Sequence, residues 1–310
     1  MLDINNWEYF NEFILSKINL EKLVPDDKNV ILYFNESPKI INGNMLNPFT
    51  NKKLIKKEND IAIFIQIESS MIIDGSIVRI LDNKNIYNYF DYILTWDNRL
   101  LKFSKSYKFM SLNKYSWVQF TKKTGINPYL KHYYNNINNK EYNNKNFNIS
   151  MLCGDKKWCP GHIIRHQIWD KQKEILIPKK FYKPKITEIL KIFDNNITIS
   201  SKRDKTEMFD SMFHICVENN NANDYFTEKI IDCIITKTVP IYYGCPNIGK
   251  YFDLNGIITV NSPEDCIEKI NKLTEGDYYR MLPYIEKNYN LFLLLPSFEE
   301  QLCNFIKIIC

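Results

Sequence analysis

The chain has 310 residues, enough for two domains of ordinary size, and its 45% hydrophobic and 14% aromatic content exclude an intrinsically disordered protein. With 41 basic and 36 acidic residues, the net charge of +5 is mild and suits a small anionic ligand as well as a nucleic acid. No stripe of Lys and Arg interleaved with aromatic residues is present, so the sequence gives no support to a nucleic-acid-binding groove.

The eight cysteines are scattered and form no Cys-x-x-Cys pair, which argues against a zinc or redox motif. We expect most of them to be buried thiols in a reducing compartment, although Cys153 and Cys159 flank one loop and can pair if oxidised. The amino terminus lacks the basic start and unbroken apolar run of a signal peptide, and no stretch reaches the roughly 18–20 apolar residues of a membrane span. The sequence therefore predicts a soluble, cytoplasmic protein.

Buried strands alternate with helices or loops in the first part of the chain. Apolar residues at helical spacing predict a helix over residues 5–22. The strands that follow are predicted at residues 29–34, 60–67, 90–97 and 109–110. This alternation is typical of a parallel sheet, so we assign residues 1–130 to a Rossmann-like domain and the Asn-rich residues 131–148 to an interdomain linker.

The same α/β pattern returns in residues 149–290, which we assign to a second Rossmann-like domain. The predicted strands cover residues 149–152, 197–200, 213–217, 239–243 and 256–260. The predicted helices cover residues 162–175, 204–209, 263–273 and 278–287, and one further helix opens near residues 226–227. Residues 291–310 contain a last helix, at 298–308, that can pack back on the first domain.

The strand–helix–strand unit over residues 213–244 contains the most informative loop. In such a unit the loop after the first strand lies at the carboxyl edge of a parallel sheet, where open α/β folds bind ligands. Glu228 and Lys229 fall in the first helical turn, so backbone N–H groups, the helix dipole and an ammonium converge there on one anion. The alternative is purely local: Thr227 caps the helix, Glu228 favours its amino end, and Lys229 is solvated.

This unit resembles the donor-binding motif of the α1,3/1,4-fucosyltransferase family. The residues that carry the resemblance are Glu218-Asn219, Tyr225-x-Thr227-Glu228-Lys229 and Val239-Pro240-Ile241-Tyr242. Tyr243 stands where the family usually has Trp. The resemblance implies the GT-B fold, α/β with two Rossmann-like domains facing each other across a cleft, with the donor nucleotide on the second domain and the acceptor approaching from the first.

The resemblance also implies the reaction: an inverting transfer of fucose from GDP-fucose to a hydroxyl of a glycan or glycoconjugate, with no metal required. Two alternatives remain open. One is transfer of another sugar from GDP or UDP, and the other is a nucleotide-sugar-binding protein without catalytic activity.

Arg165 lies where Gly161 breaks a loop and a helix starts. An Arg in a first helical turn opposes the helix dipole, so it requires an acidic or phosphate partner. A surface pair with Asp155 or Asp170 is one possibility. The resemblance implies the other, a contact between Arg165 and the donor diphosphate.

Further donor contacts follow from the resemblance alone. It implies that Lys229 is the second diphosphate contact and that Glu228 accepts hydrogen bonds from the ribose hydroxyls. Tyr225 and Asn219 would contact the base or its surroundings.

No metal site is predicted. His162 and His166 stand at i,i+4 spacing but no Glu follows as in H-E-x-x-H, and Asp-x-Asp is absent from the sequence. The charge of the leaving diphosphate would then be stabilised by Arg165, Lys229 and helix-start amides.

The catalytic base is expected to be a Glu from a loop of the first domain, upstream of a strand that resembles Phe90-Asp91-Tyr92-Ile93. Two acids qualify, Glu68 after the strand at 60–67 and Glu36 after the strand at 29–34. Glu68 precedes the Phe-Asp-Tyr strand more directly and is preferred. The spacing does not decide between them, and each has the alternative of being a solvated loop acid.

Overall fold

The computed structural model describes residues 2–5, 23–48, 50–110, 145–184, 189–193, 196–200 and 206–310. It divides into two compact units: unit 1 is Met1–Ser111 with Pro296–Cys310, and unit 2 is Leu112–Leu295. The predicted helix over residues 5–22, apart from its first residue, lies outside the described residues, and so do residues 131–144 of the predicted linker.

Unit 1 is built on a five-stranded sheet in which all neighbouring strands run parallel, in the order β1-β2-β5-β6-β7. A short hairpin, β3–β4, forms a separate antiparallel pair. Its elements in chain order are β1 (Leu2–Asn5), β2 (Asn29–Phe34), β3 (Lys39–Ile41), β4 (Asn44–Leu46), β5 (Asp60–Ile65), α1 (Asp74–Asp82), α2 (Lys84–Tyr89), β6 (Tyr92–Thr95) and β7 (Ser106–Lys108). β2 and β5 are nearly continuous apolar runs with buried side chains on both faces, as central parallel strands require.

The central strands of unit 1 agree with the sequence analysis to within two residues at each end. The strand predicted at 109–110 lies instead at Ser106–Lys108, and Phe109 is buried just beyond it. β1, the β3–β4 hairpin and both helices were not expected. α1 and α2 meet at Asn83, whose side chain accepts hydrogen bonds from two N–H groups of α2, and this polar break hides the helical period.

Unit 2 is built on a seven-stranded sheet with the order β11-β10-β9-β8-β12-β13-β14. The five strands from β9 to β14 in this order are parallel, and β10 and β11 add antiparallel strands at one edge. Its elements are β8 (Asn146–Leu152), α3 (Pro160–Asp170), β9 (Lys179–Pro184), β10 (Ile189–Phe193), β11 (Asn196–Ser200), β12 (Ser211–Val217), α4 (Glu228–Ile235), β13 (Val239–Tyr243), β14 (Ile258–Thr259), α5 (Pro263–Ile270) and α6 (Glu275–Leu294). The two parallel α/β sheets confirm the predicted fold class.

Several bounds in unit 2 correct the sequence analysis. β8 begins at Asn146, inside the predicted linker, and α3 ends at Asp170 instead of residue 175. The residues predicted as a helix at 204–209 form a 3-10 turn at Thr206–Asp210. α6 is 20 residues long because Thr274 and Asp277 form a capping box that starts it three residues before the predicted helix.

A last helix, α7 (Phe298–Ile309), belongs to unit 1. Its Phe298 ring contacts Phe34 and Phe109, with centroids 6.2 and 5.2 Å apart, and Phe305 contacts Tyr92 at 5.3 Å. No helix in the described part of the chain combines the length and apolar character of a membrane span. All eight cysteines are free thiols, so Cys153 and Cys159 form no disulfide with each other.

Lys145 makes the stability of unit 2 depend on pH. Its ammonium group is buried at the amino end of the sheet, where it donates to Phe209 O and, at 2.7 Å, to Thr238 Oγ1. Burial lowers the pKa of Lys145 from 10.5 to about 7, although the negative charge of Asp210 acts in the opposite direction and raises it. Between these two pH values the unfolded chain holds a proton that the folded chain has lost, so raising the pH favours folding.

We therefore expect the unfolding free energy of the wild type, relative to that of Lys145→Met, to rise by about 1.4 kcal/mol per pH unit between about pH 8 and about pH 10. Urea unfolding of both proteins at pH 7, 8 and 9 measures this difference. Thiols and tyrosines that titrate in the same range are common to both proteins and cancel. The prediction would be contradicted if the unfolding free energies of the two proteins changed with pH by the same amount.

Candidate functional site

β8 and β12 are neighbouring parallel strands from which the chain continues to opposite sides of the sheet. From β8 the chain moves to β9 on one side, whereas β12 and then β13 lie on the other. The loops after two such strands diverge and open a crevice at the carboxyl edge, where α/β folds bind ligands. Here these loops cover residues 153–159 and 218–227, and α3 and α4 follow them.

Glu218, the first residue after β12, is completely buried. Its carboxylate accepts from the backbone N–H of Thr227 at 2.8 Å and from the Thr227 hydroxyl at 2.7 Å. Thr227 is the N-cap of α4, and its own oxygen accepts from the N–H of Lys229. Glu218 therefore fixes the start of α4 against the end of β12.

Two carboxylates surround the ammonium group of Lys229. Its Nζ lies 3.2 Å from Glu228 Oε1 and 3.5 Å from Glu218 Oε2, and it donates to Thr227 Oγ1 at 3.0 Å. Burial opposes the charge, but Glu228 and Glu218 together raise the pKa of Lys229 above its ordinary value. Lys229 therefore stays positively charged at neutral pH, as a phosphate ligand requires.

The start of α3 lies against the same loop. The N–H of Gly161 donates to Asn219 O at 3.2 Å, and a Cβ atom on Gly161 would lie 1.6 Å from Glu218 O. Only glycine permits this approach of two backbones. The helix that carries Arg165 is therefore held directly against the loop that carries Asn219.

Arg165 and Lys229 line one open cavity of about 170 Å³. The guanidinium of Arg165 donates to Val217 O and, at 2.9 Å, to Asn219 Oδ1. It makes no ion pair with Asp155 or Asp170, both of which the structure describes. Two cations thus line the same cavity, which Gly154 of the loop after β8 and the acid Asp232 of α4 also line.

The other residues predicted to contact the donor nucleotide differ in their solvent exposure. Asn219 is half-buried and holds Arg165 through its amide oxygen. Glu228 is half-buried, and its carboxylate pairs with Lys229. Tyr225 is only 1% exposed, so its ring is covered by the rest of unit 2. The contact of Tyr225 with the base or its surroundings stays a prediction.

His162 has a structural role in the first turn of α3. Its Nδ1 lies 3.3 Å from the donating N–H of Trp158 and 3.0 Å from the Cys159 thiol. Burial and the positive charge of Arg165 lower the pKa of His162 to about 4, so the imidazole is neutral at pH 7. His166 Nε2 is buried without a hydrogen-bond partner. No group of three His, Cys, Asp or Glu side chains able to hold a metal ion occurs among the residues described.

The two candidate bases lie in unit 1, after β2 and β5. Glu36 is engaged: its Oε2 accepts from Ser76 Oγ at 3.0 Å and from Arg79 Nη2 at 3.1 Å. The backbone of Glu68 is fixed, because Asn35 Oδ1 accepts from the N–H groups of Ile67 and Glu68 at 2.7 and 2.8 Å. Asn35 itself is buried and has a left-handed φ of 62°.

Three residues of these loops were not assigned a role by the sequence analysis. Glu218 was recognised only as part of the Glu218-Asn219 motif and Gly161 only as the residue that breaks a loop, and Asn35 was given no part in the site. Glu218 carries a signal in the sequence, since it is an acid directly after a strand of apolar residues. The partners of Gly161 and Asn35 are more than 30 residues away, and no local pattern indicates them.

Residues 183–303 match the family model described as glycosyltransferase family 10 (fucosyltransferase) C-term. An α-(1,3)-fucosyltransferase, FucT, of Helicobacter pylori is 34% identical over 85 residues. That match covers 27% of this chain and 16% of the relative, so the chain aligns with less than a fifth of the curated protein.

Solved structures extend the likeness to nearly the whole chain. A crystal structure of α1,3-fucosyltransferase has a TM-score of 0.55 at 15% identity, and another, with GDP, has 0.53 at 16%; each covers 96% of this chain and 91% of its own. A third, with GDP-fucose, has a TM-score of 0.52 at 16% identity over 94% of this chain and 88% of its own. At such identities the likeness shows the fold, which is the predicted GT-B fold. Together with the family match over residues 183–303, it confirms the resemblance of this chain to the glycosyltransferase family 10 fucosyltransferases.

Proposed function

We propose that the protein is a metal-independent, inverting glycosyltransferase that transfers fucose from GDP-fucose to a hydroxyl of a glycan. The observation that carries the proposal is the cavity at the β8/β12 edge, which is lined by both Arg165 and Lys229. Two cations beside the amino end of α4 form a receptor for a diphosphate. The family match over residues 183–303 and the solved relatives that contain GDP and GDP-fucose support the choice of donor.

In the proposed reaction Glu68 takes the proton of the acceptor hydroxyl while that oxygen attacks the anomeric carbon. The bond between this carbon and the β-phosphate oxygen breaks, and GDP leaves with the electron pair. Arg165, Lys229 and the first N–H groups of α4 stabilise the charge that develops on the diphosphate. One displacement inverts the anomeric configuration.

Within this proposal Glu228 keeps the role of ribose contact, and Asn219 supports Arg165 through its amide oxygen. Glu68 is kept as the preferred base because it precedes the Phe90-Asp91-Tyr92-Ile93 strand more directly than Glu36 does. The Glu36 carboxylate accepts hydrogen bonds from Ser76 and Arg79. Six of the eight cysteines are buried free thiols, which fits a reducing compartment.

A panel of sugar nucleotides tests the proposal. Purified protein is incubated with GDP-fucose, GDP-mannose, UDP-glucose or UDP-N-acetylglucosamine, with a mixture of glycan acceptors, and the released nucleotide is measured. We expect GDP release from GDP-fucose at equal rates in EDTA and in Mg²⁺. Consumption of a different donor would correct the sugar, and dependence on Mg²⁺ would reject metal independence. Tight donor binding without consumption would indicate a binding protein.

A further inference from the structure

Trp158 is the most exposed aromatic side chain in the described part of the chain, with 73% of its surface accessible. The other two tryptophans that the structure describes, Trp96 and Trp169, are 2% and 9% exposed. A single exposed apolar ring is common on protein surfaces, so its place in the fold decides whether it has a role. The position of Trp158 indicates which ligand it would meet.

Trp158 belongs to the loop between β8 and α3, at the carboxyl edge that carries the candidate site. Gly154 of this loop lines the same cavity as Arg165 and Lys229. The backbone of Trp158 is bonded to His162, and Arg165 follows His162 by one helical turn, about 4.5 Å along the axis. The backbone of Trp158 is therefore anchored to a residue one helical turn before the proposed diphosphate contact.

The loop around Trp158 is held in place. The backbone N–H of Trp158 donates to His162 Nδ1 at 3.3 Å. The imidazole ring lies at 83° to the indole ring, and the two ring centroids are 6.4 Å apart. The Cys159 thiol, itself buried, also contacts His162 Nδ1. Lys156 Nζ lies 5.1 Å from the centroid of the indole, a cation–π contact that still leaves most of the ring exposed.

We propose that Trp158 is a stacking platform for the pyranose ring of the donor sugar. A pyranose presents polarised C–H groups on one face, and these pack against an aromatic face, for which Trp offers the largest area. In a sugar nucleotide this ring is joined to the distal phosphate through a single oxygen atom. A diphosphate held by Arg165 therefore brings the sugar to the part of the loop where Trp158 lies.

This inference rests on the proposed function, and the test separates the two. The affinities of GDP and GDP-fucose are measured by titration calorimetry for the wild type, Trp158→Ala and Trp158→Phe. We expect Trp158→Ala to bind GDP-fucose about 10-fold more weakly and GDP unchanged, and Trp158→Phe to lose less than about 3-fold. Tyr279→Ala, which removes a ring that is 55% exposed on α6, is the matched control and should bind both ligands normally.

Each contrary result has a distinct meaning. If Trp158→Ala binds GDP-fucose as tightly as the wild type does, the proposed stacking platform is wrong. It is also wrong if Trp158→Ala loses the same affinity for GDP as for GDP-fucose, because such a loss indicates a structural effect. A raised KM for the acceptor with unchanged donor affinity would overturn the assignment to the donor sugar. If the wild type binds neither GDP nor GDP-fucose, the proposed function itself fails.

Discussion

Replacing Lys229 by methionine is expected to weaken GDP binding by about 3 kcal/mol, or roughly 100-fold. The ammonium group lines the cavity and is held there by Thr227 and by the carboxylates of Glu218 and Glu228. Methionine keeps most of the volume of the side chain but removes the charge and the donors. Titration calorimetry with GDP measures the loss directly.

The same change also affects folding, so the experiment needs a second variant. Without Lys229 the fully buried carboxylate of Glu218 loses its positive partner, which costs about 3–5 kcal/mol when a buried pair is broken. The double variant Lys229→Met, Glu218→Gln removes that unpaired charge, while the single amide oxygen of glutamine still accepts from the Thr227 N–H. We expect the double variant to melt at a higher temperature than the single variant and still to bind GDP weakly.

Lys171→Met is the matched control for loss of a lysine from unit 2. Lys171 follows α3 and pairs at the surface with Glu264, so its removal should change neither GDP affinity nor stability appreciably. Wild-type GDP affinity in the double variant would refute the diphosphate contact at Lys229. Normal affinity in Arg165→Ala would refute the contact at Arg165, although that change also frees Asn219 and Val217 O.

The central strands of both sheets were predictable because each is a short apolar run bounded by polar residues. β2, β5, β12 and β13 need no knowledge of their neighbours to be recognised. The edge strands and the β3–β4 hairpin are short and mix polar with apolar residues. Their strand conformation comes from pairing with distant residues, which a local pattern does not contain.

The candidate site shows the same division between local and tertiary information. The N-cap Thr227 and the first-turn Lys229 follow from local spacing and were predicted. Arg165 was predicted to need a partner, but its contacts are with Val217 and Asn219, more than 50 residues along the chain. The burial of Tyr225 could not be predicted from the sequence either, because an aromatic residue within a polar loop becomes buried only through the tertiary packing of that loop.

Replacing Glu68 by glutamine is expected to lower kcat for sugar transfer by about 1000-fold while leaving the affinity for GDP unchanged. A positioned general base contributes about 10²–10⁴ in rate, and glutamine has the same shape but cannot take the acceptor's proton. The GDP contacts proposed here all lie in unit 2, whereas Glu68 lies in unit 1. Initial rates of GDP release with saturating acceptor give kcat, and calorimetry gives the GDP affinity.

Glu36→Gln is the matched comparison, since both acids follow parallel strands of the same sheet. The Glu36 carboxylate is already bonded to Ser76 and Arg79, so its loss should cost at most about 1 kcal/mol of stability and little turnover. Hydrogen bonds to the Asn35 side chain fix the Glu68 backbone, so the position from which the Glu68 side chain extends is also fixed. If Glu36→Gln loses turnover and Glu68→Gln keeps it, the base is Glu36, and the ion pair with Arg79 must then open during each catalytic cycle.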